Sequence, residues 1–510
     1  MASSAYHAWT HDRKRVIGLF AGLLLALLLL IFGDLVPGQP VVTRTAAVAV
    51  LMAAWWVTEA IPIAATALIP IALFPLLGIT SGRMVAGTYF NSVIFLFIGG
   101  FIMALAMERW DLHKRIALRI VMIIGASASR LLLGFMVATA FLSMWISNTA
   151  AAMMMVPIAL AIIMRLRDEL QMGERRRFSI GLLIGIAYSA SIGGTATLIG
   201  TPPNLAFSRI FAIEFPNAPV ITFANWLVFG LPFAVIFLMC AWVLLRIVFL
   251  RGIHLPNVDR SLFAEEYRRL GRMRYEEKVV LILFVLLALL WVTRSNLTLG
   301  SLTIPGWSSL LPSPSFIDDG TVAIAMSLLL FVIPSREQHG ERLMNWETAV
   351  RLQWGIVILF GGGFALAAGF SESGLSTWIA GQLAGLKGMP TLFLVVAVCT
   401  MLTFLTELTS NTATIQLALP LLGSLAIAVE VNPLLLMIPA TLSASCAFML
   451  PVATPPNAIV FGSGDVRIAD MMRSGIFMNL LGILLITGLF YLIGLPAFNI
   501  DPSTIPVWGH

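Results

Sequence analysis

Two copies of the tripeptide Ser-Asn-Thr, Ser147-Asn148-Thr149 and Ser410-Asn411-Thr412, each lie inside a long apolar stretch of the chain. A second pair of similar segments follows them, Gly200-Thr201-Pro202-Pro203-Asn204 and Ala453-Thr454-Pro455-Pro456-Asn457. Hydroxyl and amide oxygens coordinate small hard cations, and prolines free backbone carbonyls that can do the same. Four oxygen-rich breaks at membrane depth, arranged as a duplicated pair, are typical of an ion-and-solute site in a secondary transporter.

The composition indicates an integral membrane protein. Of the 510 residues, 59% are hydrophobic and 11% are charged, whereas soluble domains carry about 25% charged residues. The net charge of +6 does not indicate nucleic-acid binding, because the Lys and Arg residues cluster in a few loops. Cys240, Cys399 and Cys446 lie in apolar runs without metal-ligand spacing, so neither a disulfide nor a zinc site is implied.

The apolar runs predict an all-α polytopic membrane protein with about 11 transmembrane helices and two re-entrant helical hairpins. Two of the runs, 178–213 and 434–464, are predicted to break at their Pro-Pro pairs, and the stretch 109–129 is amphipathic. The unbroken helices are predicted at 16–33, 45–60, 62–78, 91–108, 226–250, 279–299, 321–334, 354–370 and 474–495.

The two longest apolar regions, 131–164 and 390–429, are interpreted as the hairpins. Basic residues flank the first on both sides, and if both flanks are cytoplasmic the chain must enter and return on one face. Those flanking residues are Arg109, Lys114, Arg115, Arg119, Arg165, Arg167, Arg175, Arg176 and Arg177. An odd number of predicted crossings separates the hairpins, so the second opens to the other face. Together they predict an inverted-topology repeat.

The N-terminus is predicted to be cytoplasmic. His11, Arg13, Lys14 and Arg15 precede the first apolar run, and no small-x-small cleavage site follows it. We therefore expect a retained first helix rather than a signal peptide, in a bacterial inner membrane or a plasma membrane.

Charged side chains are rare within the apolar runs. The acids in or beside them are Glu59, Glu108, Glu372 and Glu407, and no Lys or Arg is central. A multiply charged anion would then be neutralised by bound cations, helix dipoles and hydroxyl donors, which favours coupling to a cation. Glu407 could carry a coupled proton, but a structural acid is favoured, because the first repeat has Met144 at that position. Glu59 is interpreted as a helix boundary rather than a ligand.

At these motifs the chain resembles the divalent anion/sodium symporter (DASS, INDY-type) family of di- and tricarboxylate and sulfate transporters. The resemblance runs from the Trp-Val-Thr-Glu-Ala-Ile-Pro segment near residue 59 to the last helix, and includes the run 450–458. It implies a homodimer built on a scaffold domain. It also implies a transport domain, holding both hairpins and both broken helices, that moves like an elevator.

The same resemblance implies the ligands. The first sodium ion would contact Ser143, Ser147, Asn148 and the carbonyl of Gly200, and the second Thr406, Thr409, Asn411 and the carbonyl of Ala453. The substrate would contact residues of both tips and both Pro-Pro segments, namely Asn148, Thr149, Thr201, Pro202, Asn411, Thr412, Thr454 and Pro455. Ser143 and Thr406 each precede their tip by one helical turn, which places their hydroxyls on the same face as the tip.

The expected function is sodium-coupled import of a C4-dicarboxylate such as succinate, malate or fumarate. A dicarboxylate exchanger, a citrate or sulfate carrier of the same fold, and a channel remain alternatives. An enzyme is not expected, because the apolar runs hold no clustered nucleophile and base and no metal cage. The predicted segments are the tail and first helix 1–44, scaffold 45–108, first hairpin and broken helix 109–213, scaffold 214–353, and second repeat 354–510.

Overall fold

A computed structural model describes residues 2–125, 127–166, 170–253, 261–299, 302–502 and 504–509. Arg167 of the predicted basic flank and residues 254–260 lie outside them. The first half of the chain is helical throughout, with α1 (Ala2–Phe32), α2 (Pro40–Thr58), α3 (Ile63–Thr66), α4 (Ile69–Leu76), α5 (Gly82–Tyr89), α6 (Ser92–Arg109), α7 (Leu112–Ile124), α8 (Ala128–Ser143), α9 (Asn148–Arg165), α10 (Met172–Gly194), α11 (Pro202–Glu214) and α12 (Phe223–Phe249).

The described residues of the second half are also mainly helical, with one short antiparallel pair of strands. Its elements are α13 (Ser261–Arg269), α14 (Tyr275–Val292), β1 (Leu297–Leu299), β2 (Leu302–Ile304), α15 (Asp319–Val332), α16 (Trp346–Ala349), α17 (Trp354–Ser373), α18 (Leu375–Leu383), α19 (Thr391–Leu405), α20 (Asn411–Ala428), α21 (Leu434–Ala444), α22 (Pro455–Gly462), α23 (Ile468–Leu489) and α24 (Leu495–Ala497). A π-helical turn, Phe490–Gly494, joins the last two helices.

Within the described ranges, nine helices are long and apolar enough to cross a membrane. The number is ten if the pair Leu375–Leu386 and Thr391–Leu405, bent by 117°, forms one span. The prediction of a polytopic helical protein is confirmed, while the larger predicted number of spans and their inverted orientation stay predictions. So do the predicted segment boundaries. The predicted end of the helix 279–299 is wrong, because α14 stops at Val292. Residues Leu297–Leu299 instead form a β-strand that pairs antiparallel with Leu302–Ile304.

The two broken helices break before their prolines, not at them. In the first, α10 ends at Gly194 and α11 begins at Pro202; in the second, α21 ends at Ala444 and α22 begins at Pro455. The predicted breaks are therefore present, and each ends where its Pro-Pro pair starts the next helix. Proline fits the first turn of a helix, where its missing N–H would have no partner in any case. The unwound segments are residues 195–201 and 445–454.

The two repeats interlock around the hairpins. Helix α9, the second arm of the first hairpin, packs on α10 of its own repeat and on α22 of the other repeat. Helix α20, the second arm of the second hairpin, packs on α21 of its own repeat and on α11 of the other repeat. In the most apolar stretch of α10, 94% of the residues are buried. This helix therefore contacts protein along nearly its whole length. Each second arm is consequently held between one half-helix from its own repeat and one from the other.

Replacing Gly193 with alanine should destabilise the packing of α8 on α10. The Cβ atom added at Gly193 would overlap the backbone of Ala140, and such overpacking costs about 1–3 kcal/mol. Thermal unfolding of the purified protein measures the effect. Gly173→Ala on the same helix is the matched control, because its Cβ would meet nothing within 4 Å; equal melting temperatures for the two variants would contradict the tight contact.

Candidate functional site

A cavity of about 710 Å³ lies between the two hairpin tips. Every residue predicted to bind sodium or substrate lines it except Ser143 and Thr406, which are fully buried. The lining residues from the predicted set are Ser147, Asn148, Thr149, Gly200, Thr201, Pro202, Thr409, Asn411, Thr412, Ala453, Thr454 and Pro455. The fold thus brings residues from both halves of the sequence to one cavity.

The first tip is a helix start built on Ser147. This residue has extended backbone angles, and its Oγ accepts a hydrogen bond from the Ala150 N–H at 3.2 Å, the usual role of an N-cap serine. The chain therefore turns between α8 and α9 with the first amides of α9 directed at the cavity. Amide groups at a helix start carry partial positive charge and favour an anion there.

Behind this tip, oxygens converge on Asn148. The Ser143 hydroxyl lies 2.6 Å from the Ala190 carbonyl oxygen and 2.5 Å from Asn148 Oδ1. When its NH₂ group faces the cluster, the Asn148 amide can donate to the carbonyls of Gly200 at 3.2 Å and Ala190 at 3.1 Å. With Asn148 Oδ1 facing the cluster instead, it converges with the Ser143 hydroxyl oxygen and the carbonyl oxygens of the same two residues. The Ser143 hydroxyl is then the one hydrogen-bond donor in this group of four oxygens. The second arrangement suits a cation.

Glycines make room for this cluster. A Cβ at Gly194 would lie 2.7 Å from Asn148 Oδ1 and 3.0 Å from the Gly200 carbonyl oxygen, and a Cβ at Gly200 would lie 2.5 Å from the Gly194 carbonyl oxygen. Any side chain at either position would therefore displace the oxygens that converge behind the tip. The unwound segment is fixed from the other side by Thr197, whose Oγ1 donates to the Met144 carbonyl at 2.6 Å.

The second tip repeats the arrangement. Ser410 caps α20, and Thr406 Oγ1 lies 2.6 Å from Asn411 Oδ1 and 3.0 Å from the Ala444 carbonyl oxygen. Thr406 and Ala444 are thus the counterparts of Ser143 and Ala190. Thr409, a predicted ligand, lines the cavity, and its hydroxyl bonds to the Leu405 carbonyl and to Thr414 Oγ1. The duplicated geometry matches the duplicated sequence.

Ala190 and Ala444 are functional candidates that the sequence analysis missed. They contribute only backbone carbonyls, so their side chains carry no signal. Ala190 lies five residues before the first unwound segment and Ala444 directly before the second, and each carbonyl accepts from a hydroxyl on the hairpin's first arm.

Buried oxygens without a protein partner recur near both tips. The Oγ atoms of Ser191 and Ser445, which directly follow Ala190 and Ala444, have none among the described residues. Neither do the Oδ1 atoms of Asn204 and Asn457, whose Nδ2 groups donate to carbonyls of the unwound segments. Unpaired buried oxygens are costly, and they fit sites that a small cation completes.

Glu407 fixes the second unwound segment. Its buried carboxylate accepts the backbone N–H groups of Phe448, Met449 and Leu450 at 2.7, 2.9 and 3.0 Å, and Asn479 Nδ2 at 2.8 Å. These bonds occupy both carboxylate oxygens. The geometry agrees with the structural role that the sequence analysis favoured for Glu407.

The remaining wall of the cavity comes from α6, α17 and the α2–α3 turn. Phe97 and Phe101 of α6 and Ile356 and Leu359 of α17 supply apolar surface. Among the described residues that line the cavity, none is Lys or Arg, and the α2–α3 turn contributes one carboxylate, Glu59. An anion in this cavity would meet amides, hydroxyls and helix dipoles rather than cationic side chains.

Comparisons with solved structures support this architecture. MtrF of Neisseria gonorrhoeae, from a class of antimetabolite efflux pumps, matches with a TM-score of 0.54 and 14% identity, covering 81% of this chain and 84% of that one. The YdaH transporter of Alcanivorax borkumensis matches with a TM-score of 0.54 and 14% identity, covering 81% and 88%. At this identity the likeness concerns the fold alone.

Sequence relatives are much closer. The sodium-dependent dicarboxylate transporter SdcS of Staphylococcus saprophyticus is 45% identical over 502 residues, which cover 96% of this chain and 94% of that protein. SdcS of Staphylococcus aureus is 46% identical over 498 residues, covering 96% and 92%. The family model described as the sodium:sulfate symporter transmembrane region matches residues 14–496. The resemblance to the divalent anion/sodium symporters is confirmed, and the chain belongs to this family of membrane transporters, not to a family of enzymes.

Proposed function

We propose that this protein imports a C4-dicarboxylate, such as succinate, malate or fumarate, together with sodium ions. The observation that carries the proposal is the cavity between the two tips, which offers amides and hydroxyls to an anion and places an oxygen cluster behind each tip. Its dicarboxylate-transporting relatives, which share the whole length of the chain, support the substrate class.

Sodium fits the two oxygen clusters. The first would be held by Ser143, Ser147, Asn148 and the Gly200 carbonyl, to which the geometry adds the Ala190 carbonyl. The second would be held by Thr406, Thr409, Asn411 and the Ala453 carbonyl, with the Ala444 carbonyl added. All of these ligands are neutral oxygens, which suit a small monovalent cation.

Neutralisation of charge explains why transport of the anion would require sodium. A dianion inside the protein without countercharge is strongly disfavoured, and the described lining of the cavity holds no cationic side chain. Two sodium ions would balance the two carboxylates of the substrate. One carboxylate would meet Asn148 and Thr149 at the first tip, and the other Asn411 and Thr412 at the second. Thr201, Pro202, Thr454 and Pro455 would line the sides.

Movement of the site across the membrane completes the proposal. The interlocked hairpins and broken helices would form a transport domain that slides past the scaffold like an elevator, in a homodimer within the plasma membrane. The N-terminus would lie in the cytoplasm, because of the basic residues before the first span.

Succinate uptake into proteoliposomes tests the proposed function. We expect uptake that rises with an inward sodium gradient and that potassium does not support. Uptake only into vesicles preloaded with a dicarboxylate, independent of sodium, would show an exchanger instead. Single-channel currents carried by succinate would show a channel.

A further inference from the structure

Glu59 has an unusual place in the cavity wall. It is the one ionisable residue among the described residues that line the space between the tips. It follows the last residue of α2 and precedes α3, so it belongs to neither hairpin and to neither broken helix. Its side chain is 45% exposed, so its charge is accessible to an ion that enters the cavity.

The backbone at Glu59 has a conformation that glutamate rarely adopts. Glu59 has φ of 49° and ψ of 41°, a left-handed conformation, and its N–H donates to the Trp55 carbonyl as the helix ends. Glycine or asparagine normally occupies this position at a helix end, because other side chains are strained there. The helix boundary predicted at Glu59 is thus correct.

Arg15 of α1 lies beside this carboxylate. The Arg15 Nη2 atom is 4.0 Å from Glu59 Oε2, and both side chains are about half exposed, at 47% and 45%. Close packing of α1 on α2 brings Arg15 and Glu59 together. In this packing Gly18 contacts Thr58 and Gly22 contacts Trp55. At this distance and exposure Arg15 reduces the field of Glu59 without cancelling it, since exposed ion pairs interact weakly.

We propose that Glu59, moderated by Arg15, selects substrates by charge, disfavouring trianions relative to dianions in the cavity. This inference rests on the proposed function, since it assumes that an anion occupies the space between the tips. A fixed negative charge on the wall repels every anion that enters, and the repulsion grows with each added charge on the anion. The same charge favours the sodium ions that accompany the substrate.

The two partners should act in opposite directions. Removing the charge of Glu59 lowers the repulsion, so it should improve binding of a trianion more than binding of a dianion. Removing the charge of Arg15 exposes the full field of Glu59 and should have the reverse effect. A trianion carries one more negative charge than a dianion, and that charge interacts with Glu59 over several ångströms, partly screened by water and salt. This interaction corresponds to about a two- to tenfold change in the ratio of trianion affinity to dianion affinity.

The test is equilibrium binding of succinate and of citrate to the purified full-length protein in detergent. Sodium is held constant and the pH is mildly alkaline, so that succinate is a dianion and citrate a trianion. The variants are Glu59→Gln, Arg15→Gln and Glu59→Asp, the last keeping the charge. Glu372→Gln is the matched control, because Glu372 is exposed near the end of α17 and does not line the cavity. Melting temperatures without substrate check that each variant is folded.

We expect Glu59→Gln to raise citrate affinity relative to succinate about two- to tenfold, and Arg15→Gln to lower it. Glu59→Asp and Glu372→Gln should leave the ratio at the wild-type value. If both anions bind wild type and the ratio is unchanged in folded Glu59→Gln, the inference is wrong while the proposed function stands. If the wild-type protein binds neither anion in the presence of sodium, the proposed function fails and this inference fails with it.

Discussion

Replacing Asn148 with alanine is expected to weaken sodium-dependent succinate binding by about 10- to 100-fold, because it removes a hydrogen-bonding group from an ionic site. The Asn148 amide belongs to both parts of the proposed site. It lines the cavity next to Thr149, and its Oδ1 contacts Ser143 in the oxygen cluster behind the tip. Alanine would therefore remove a sodium ligand and a substrate contact together. A thermal-shift titration with succinate, in sodium and in potassium, measures the loss.

The second tip supplies an internal check on this result. Asn411→Ala should give a loss of similar size, because Asn411 contacts Thr406 in the equivalent cluster. Asn225→Ala is the control, since Asn225 lies on α12 away from this cavity. Wild-type succinate affinity in both tip variants would contradict the assignment of the clusters. A loss confined to one tip would contradict their equivalence.

Replacing Glu407 with glutamine is expected to destabilise the protein by at least about 1–3 kcal/mol and to abolish transport. The carboxylate accepts four N–H groups, whereas a glutamine side chain has one oxygen and presents an NH₂ group to donors. Buried donors would then lose their partners, and each such loss costs about 1–3 kcal/mol. Thermal unfolding and proteoliposome uptake measure the two effects.

The outcome separates the two interpretations of Glu407. The Glu372→Gln variant is the control, because it also removes a carboxylate but at an exposed position. We expect it to have the melting temperature of the wild type. If Glu407→Gln instead melts at the wild-type temperature and loses only the pH dependence of uptake, then Glu407 carries a coupled proton. That result would contradict the role assigned to it here.

The tips were predictable from sequence because their signals are local. Serine before a helix start is a strong cap, and both Ser147 and Ser410 cap the helix that follows them. Duplication of Ser-Asn-Thr then indicated that two such starts share one function. The resemblance to the symporter family then implied the ligand residues, each of which is part of, or one turn from, a tip or a Pro-Pro segment.

The positions of the helix breaks were not predictable in this way. Proline is compatible with a helix start as well as with a break, and Pro202 and Pro455 both begin helices. The breaks are instead maintained by distant contacts, such as those of Glu407 with Phe448 to Leu450 and of Thr197 with Met144. The carbonyls of Ala190 and Ala444 were missed for a related reason, because backbone groups leave no mark in the sequence.

The central claim is that both tips bind one anion between two cation sites. A high-resolution cryo-electron microscopy map of the protein with sodium and succinate tests it most directly. The account predicts substrate density between Asn148-Thr149 and Asn411-Thr412, with an ion beside Ser143 and another beside Thr406. Succinate density elsewhere in the protein, with the space between the tips filled only by water, would contradict it.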